Sequence, residues 1–263
     1  MQETVISIQS AEKTFPNGVQ GLAPITLDIH PKERIGLIGP SGCGKSTLLK
    51  LIANLHQPSS GHLTWWNKGF AEVGKENRRL SFVFQEPTLM PWSTVRKNVR
   101  LPLDLEGISP DVSAPRVQQA LEIVGLAHAA DRFPAQLSGG MKMRVSIARA
   151  LVTRPNLLLM DEPFGALDEL TRNRLDEDIA TLCAKDDLTL LFVTHSLYEA
   201  AFLSTRVMVM AAHPGRIFAE YEIDPSIPRN EEFRLSDTFA TICQDLSKLL
   251  IQASQSSLLA EVA

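Results

Sequence analysis

The chain has 263 residues, enough for a sizeable core in one or two domains. With 44% hydrophobic and 21% charged residues its composition is that of an ordinary globular protein, and a net charge of −4 without a basic run argues against nucleic acid as the main partner. No apolar run reaches the roughly 18–20 residues of a membrane span, and residues 1–4 carry neither a basic n-region nor a secretory h-region. A cytosolic chain is therefore expected, reaching a membrane only through a partner. The cysteines, Cys43, Cys183 and Cys243, are too widely spaced for a disulfide framework or a metal motif.

In chain order, residues 4–9 and 25–29 alternate with period two and predict strands of a half-exposed antiparallel sheet, with a turn-rich loop over 13–18. Phe15 in that loop suits a core position and a base-stacking face equally. The apolar run 34–38 predicts a short buried strand. It leads into Gly39-Pro40-Ser41-Gly42-Cys43-Gly44-Lys45-Ser46-Thr47, and a helix is predicted over 45–55. Strand, glycine loop and helix with the spacing G-x-x-x-x-G-K-S form a phosphate cradle. Glycines let backbone N–H groups turn inward, the helix N-terminus adds its positive dipole end, Lys45 reaches the phosphates, and the Ser46 hydroxyl suits Mg²⁺. Cys43, near the helix N-terminus, is placed where a thiol pKa can fall, but the loop needs only its backbone.

Residues 62–66 predict a strand, 67–79 a polar loop, and 80–84 a buried strand ending at Gln85. Prolines at 87, 91, 102, 110 and 115 argue against long helices before 115, after which 116–126 has helical apolar spacing. This middle stretch reads as a helical insertion outside the main sheet. Ser138 is a plausible N-cap for a helix following Leu137-Ser138-Gly139-Gly140. Residues 157–160 predict a central parallel strand ending in Asp161-Glu162. A charged helix over 167–183, a strand over 188–193 ending at Thr194-His195, a helix over 197–203 capped by Ser196, and a hairpin around 213–215 follow. A last helix is expected over about 236–252, with a fraying Ser/Gln-rich tail.

In an open parallel sheet, ligands bind beyond the carboxyl ends of the strands. Four such ends, at the phosphate loop, Gln85, Asp161-Glu162 and His195, predict one nucleotide site. There Asp161 suits Mg²⁺, Glu162 is the candidate general base for an attacking water, Gln85 suits metal or water contact, and His195 suits the γ-phosphate. Ser138-Gly139-Gly140 is a second glycine-bearing helix start and hence a second potential anion site. Two anion sites for one nucleotide are explained if a second copy of the chain presents this helix to the first copy's γ-phosphate.

These motifs, in this order, resemble the ATP-binding cassette (ABC) transporter ATPases over residues 3–220. The resemblance implies an α/β fold: a P-loop NTPase core with an N-terminal antiparallel β subdomain and a helical signature subdomain. It divides the chain into an ATPase domain over 1–220, its helical part over about 86–155, and a short extension with a terminal helix over 221–263. It assigns Gln85 to the Q-loop, residues 137–141 to the signature, 157–162 to the second acidic motif, 166–168 to the D-loop with Asp168, and His195 to the switch histidine, and it favours Phe15 as the adenine-stacking aromatic. The signature carries Met141 where many members have glutamine, Asn54 stands where glycine is common, and Gly165 where serine often precedes the D-loop.

Residues 84–92 and 161–172 look like the nitrate, sulfonate and taurine import branch, which includes carriers of pyrimidine thiamine precursors. The chain ends soon after the cassette, without the extra regulatory domain of sugar-importer relatives. The branch implies ATP and Mg²⁺, a homodimer that sandwiches ATP, two integral-membrane permease subunits that dock on residues 86–100 through Leu89, Met90, Pro91 and Trp92, and, indirectly, a solute-binding protein. The implied location is peripheral, on the cytoplasmic face of the inner membrane. The rival readings are a non-transport cassette ATPase and a small-molecule P-loop kinase. The first, in its DNA-organising form, would carry a long coiled-coil insertion. The second would lack a signature-type helix between Lys45 and Asp161.

Overall fold

The structure, a computed structural model, describes residues 4–262. Strands β1 (Ile6–Thr14) and β2 (Gln20–Ile29) pair antiparallel. After β3 (Arg34–Ile38) and helix α1 (Lys45–Ile52), β4 (Ser60–Trp65) returns to the free edge of β1. Both strands are longer than expected, β1 running into the 13–18 loop as far as Thr14 and β2 starting at Gln20. Register shifts along β1, with Ser10 at a φ of 47°, let its pairing continue past the point where simple alternation stops.

The second sheet holds β5 (Leu80–Val83), β6 (Leu157–Asp161), β7 (Thr189–Val193), β8 (Arg206–Ala211) and β9 (Arg216–Glu222) together with β3, in the order β5-β6-β7-β3-β8-β9. All its pairings are parallel except that of the β8–β9 hairpin. Every residue of β3, β6 and β7 is buried, which is why these strands read as continuous apolar runs rather than alternating ones. β5 differs from the buried strand expected: it is the sheet edge, and only Val83 is fully buried.

Successive side chains of the central strands feed two cores. Leu157, Leu159, Leu191 and Val193 join α1 and the antiparallel sheet, whereas Leu158, Met160, Leu190 and Phe192 face the remaining helices. Those are α2 (Val95–Leu105), α3 (Pro110–Ile123), α4 (Gly139–Leu151), α5 (Glu169–Lys185), α6 (Leu197–Leu203), α7 (Glu231–Arg234) and α8 (Asp237–Val262).

The proline-rich stretch is a correction to the expectation of no long helix before 115. Pro110 occupies the first turn of α3, where its missing N–H is tolerated. Pro102 and Pro115 lie inside helices. In α2 the buried stripe Val95, Val99 and Leu103 packs on the helical core, and this tertiary contact outweighs the local cost of Pro102, roughly 3 kcal/mol. A short 3₁₀ turn (Phe70–Glu72) interrupts the 67–79 loop. The last helix is also longer than expected. Its serine-rich end docks, with Ser257 Oγ accepting from Ala212 N (2.8 Å) and Arg216 Nη2 donating to Ser256 Oγ (2.6 Å).

Candidate functional site

The loop between β3 and α1 turns on glycine. Gly44, which precedes α1, has a φ of 89°, and a Cβ there would lie 2.5 Å from Leu22 Cδ2 and 2.8 Å from the Gly21 carbonyl. Only glycine takes this conformation in this space. Lys45 is buried, and its Nζ donates to the carbonyls of Gly39 (2.9 Å) and Pro40 (3.0 Å). Cys43 is fully buried, and burial pushes its thiol pKa up despite the opposing charge of Lys45. The lowering suggested by its helix-terminal position is thus overridden by desolvation.

A cavity of about 520 Å³ opens over this loop. Its walls include Phe15, residues of the loop, Gln85, Glu162 and His195. Three consecutive parallel strands therefore send their carboxyl ends to one cavity, joined by β5 from the edge. Phe15 is half-buried, with His56 edge-on to its ring at 6.3 Å between centroids.

Asp161 ends β6 and is buried, and Ser46 Oγ donates to its Oδ1 over 2.8 Å. Burial pushes the Asp161 carboxyl pKa up, opposed by the Ser46 bond and the charge of Lys50. Glu162 follows with a left-handed backbone (φ 49°), a conformation that costs a glutamate about 1–3 kcal/mol. Its two carboxylate oxygens are reached from two other strand ends: Gln85 Nε2 donates to Oε2 at 3.0 Å, and His195 Nε2 lies 2.6 Å from Oε1.

Behind His195, the Thr194 hydroxyl donates to Glu199, which pairs with Arg172 at 3.2 Å, and Ser196 N donates to Thr194 Oγ1 at 2.9 Å. This buried support escapes sequence reasoning, because Arg172 and Glu199 belong to different helices and nothing local links them.

Ser138, Gly139, Gly140 and Asp168 do not line the cavity. Ser138 caps α4, its hydroxyl accepting from Met141 N at 3.2 Å. Gly139 has nothing within 4 Å of where a Cβ would stand, whereas one on Gly140 would lie 3.0 Å from the Ala166 carbonyl. Asp168 caps α5, and the bond it accepts from Thr171 N (3.0 Å) holds its carboxyl below the usual carboxylate range.

Sequence reasoning also missed Val19, Gln20, Gly21, His213 and Gly215, which complete the cavity wall. The β8–β9 turn presses on the phosphate loop so closely that a Cβ on Gly215 would collide with the Cys43 carbonyl. A Pro-Gly turn signals a hairpin but not what the hairpin touches.

The donor set fits a small hard cation. It offers a serine hydroxyl, a desolvated carboxylate and a glutamine amide oxygen on neighbouring elements. Mg²⁺ keeps most of its waters and needs only one or two protein ligands besides phosphate, which is what Ser46 and Asp161 provide.

Residues 22–165 match the ABC transporter family. The chain is 44% identical over 231 residues to the bicarbonate transport ATP-binding protein CmpC of Synechococcus elongatus, covering 85% of this chain and 34% of that protein. It is 44% identical over 220 residues to the nitrate import ATP-binding protein NrtC of the same organism, covering 82% of this chain and 33% of that one. The chain thus spans about a third of the length of these relatives. A dimeric ATP-binding cassette, MJ0796 bound to ADP and Pi, superposes with a TM-score of 0.75 at 29% identity over 82% of this chain and 98% of that one.

Proposed function

Because the chain belongs to the ABC transporter family, we propose that it is the ATP-hydrolysing subunit of an importer that takes up a small solute through a partner permease. The observation that carries this reading is the placement of Glu162: its carboxylate is held by Gln85 and His195 at the wall of the phosphate-loop cavity, one residue beyond Asp161, which bonds Ser46.

In this reading the loop 39–47 wraps the phosphates with backbone N–H groups, Lys45 lends them its charge, and Phe15 stacks on the adenine. Ser46 and Asp161, with Gln85, would hold Mg²⁺, which would supply positive charge to offset that of the phosphates. Glu162 accepts the proton of the attacking water, and Gln85 and His195 orient its carboxylate. Ser138, Gly139, Gly140 and Asp168 act on the nucleotide of a second copy. Their absence from this chain's own cavity supports that division of labour, as does the dimeric cassette among the similar structures.

The ATPase domain is taken as residues 1–220 with its helical part over about 86–155, and 221–263 as an extension. The helical part is supported by the packing of α2, α3 and α4 on one another, whereas the extension packs through α8 on β8 and α6. Among the described residues no helix is long and apolar enough to cross a membrane. In this reading the subunit sits peripherally, on permease subunits at the cytoplasmic face of the inner membrane. The relatives' names favour a small anion of the bicarbonate or nitrate kind; the resemblance of residues 84–92 and 161–172 keeps sulfonates, taurine and pyrimidine precursors beside it.

The test is Glu162→Gln in the purified chain. ATP binding persists, phosphate release falls about 10²–10⁴-fold, the usual worth of a general base, and an ATP-bound dimer accumulates on gel filtration. Unimpaired hydrolysis removes Glu162 from the reaction, and a strict monomer at saturating ATP counts against the sandwich.

A further inference from the structure

A second cavity, of about 440 Å³, lies away from the nucleotide cavity, walled by one face of α3, the carboxyl ends of α4 and α5, and the segment leading into β6. Its charged residues are Arg116, Arg154 and Lys185 against a single carboxylate, Asp186. Most cations elsewhere in the chain have a partner, but these three make no side-chain hydrogen bond or ion pair among the described residues. One guanidinium nitrogen, Arg116 Nη1, is out of contact with solvent and has no acceptor. A buried guanidinium N–H left without an acceptor is costly. The carboxyl ends of α4 and α5 do not explain it, because Arg116 donates to none of their carbonyls. Ile123, Leu151 and Leu182 supply an apolar floor to the same cavity.

We propose that this cavity binds a small organic anion, with an apolar body on the floor and a carboxylate, sulfonate or phosphate head between Arg116, Arg154 and Lys185. The volume lies within the usual range for small-molecule sites. An inorganic ion would neutralise the cations and leave the apolar floor uncovered, whereas a neutral apolar molecule would cover the floor and leave Arg116, Arg154 and Lys185 without a counter-charge.

The site is also placed to influence hydrolysis. The helix α4 runs from this cavity to Ser138, α5 runs from it to Asp168, and β6 starts beside it at Leu157 and ends at Asp161. Of the three, β6 leads to the wall of this chain's nucleotide cavity at Glu162, whereas α4 and α5 lead to the segments assigned above to a second copy's nucleotide, and a ligand that binds better to one arrangement of these elements shifts the nucleotide sites they serve.

The experiment is titration of the full chain with 1-anilinonaphthalene-8-sulfonate, with the nucleotide site saturated by MgADP, read by fluorescence and calorimetry. The expected result is one saturable site per chain. Arg116→Ala and Arg154→Glu weaken it at least about tenfold, the effect of losing one charge-assisted contact; Trp92→Ala, at a separate exposed surface, leaves it unchanged. Arg154 is exposed, so its variant folds whatever becomes of Arg116→Ala. Competition by benzoate, benzenesulfonate and phenyl phosphate ranks the head groups, with benzyl alcohol and inorganic sulfate as the neutral and bodiless controls. Equal affinity in wild type and Arg154→Glu, loss of the signal in Trp92→Ala, or competition by sulfate as strong as by benzenesulfonate overturns the site as proposed. A change of at least twofold in the ATP hydrolysis rate at saturating probe, absent in Arg154→Glu, supports the coupling; an unchanged rate with the probe bound overturns it.

Discussion

Glu162 is held at three points: its backbone N donates to the Val193 carbonyl (3.0 Å), and Gln85 and His195 reach its two carboxylate oxygens. Its side chain cannot leave without breaking contacts to two other strand ends, so the carboxylate is positioned before any nucleotide arrives. Asp176 shows another use of a buried acid. It is almost wholly buried in α5, pairs with Arg234 Nη2 at 3.2 Å, and is pushed up to about 8, first by burial and then by the Glu199 charge. Because the folded carboxyl binds its proton more tightly than the unfolded one, near 3.9, its contribution to stability is complete below pH ~4 and is lost as the pH rises through about 8. Thermal melting should therefore show wild type losing stability between pH 6 and 8 more steeply than Asp176→Asn, which keeps an acceptor for Arg234. Parallel pH profiles would mean that Asp176 is already ionised at pH 6.

At the scale of elements, the loop before α2 exposes Trp92 (75% exposed), yet it is firmly fastened. The buried Asn98 side chain of α2 donates from Nδ2 to the carbonyls of Met90 (3.1 Å), Ser93 (3.0 Å) and Thr94 (3.1 Å) and accepts from Met90 N (2.7 Å). From α4, Arg149 donates to the carbonyls of Thr88 (3.0 Å) and Pro87 (3.0 Å). The same helix that carries Ser138 at its start thus grips the segment proposed to meet the permease. Trp92→Ala should weaken co-purification with the permease and spare both melting temperature and ATP binding. Asn98→Ala should weaken the same assembly and also lower stability by about 1–3 kcal/mol, because it frees three carbonyls and an N–H. Intact assembly with Trp92→Ala removes Trp92 from the interface. Asn98 is a buried polar residue beside the apolar stripe of α2. The prolines around it hid the helix itself, because local propensity counts the missing N–H groups and not the buried face that offsets them.

For the whole molecule, one chain forms the cavity over the 39–47 loop, and Ser138, Gly139 and Gly140 do not line it. The function proposed therefore belongs to an assembly, and its test belongs in cells. With Lys45→Ala in place of the wild-type chain, uptake of one labelled solute among nitrate, bicarbonate, taurine, an alkanesulfonate and a pyrimidine precursor should fall to background. Unchanged uptake of all of them would favour a cassette ATPase with no transport role.

The phosphate loop, the acidic strand end and the parallel sheet were legible from residues alone, because their chemistry is local: a glycine spacing, a fully apolar run, and a polar residue where that run stops. The capping serines Ser138 and Ser196 were legible for the same reason, since a cap bonds within its own first turn. What only the tertiary structure decided involves groups distant in sequence. Gly215 presses on Cys43, Ser257 docks the C-terminal helix on the β8–β9 turn, and Arg172 supports Glu199 behind His195. The edge position of β5, the helices that form despite Pro102 and Pro115, and the cationic cavity between α3 and α5 are of the same kind. Each depends on packing free energy between segments, which period and propensity along a single stretch of chain do not contain.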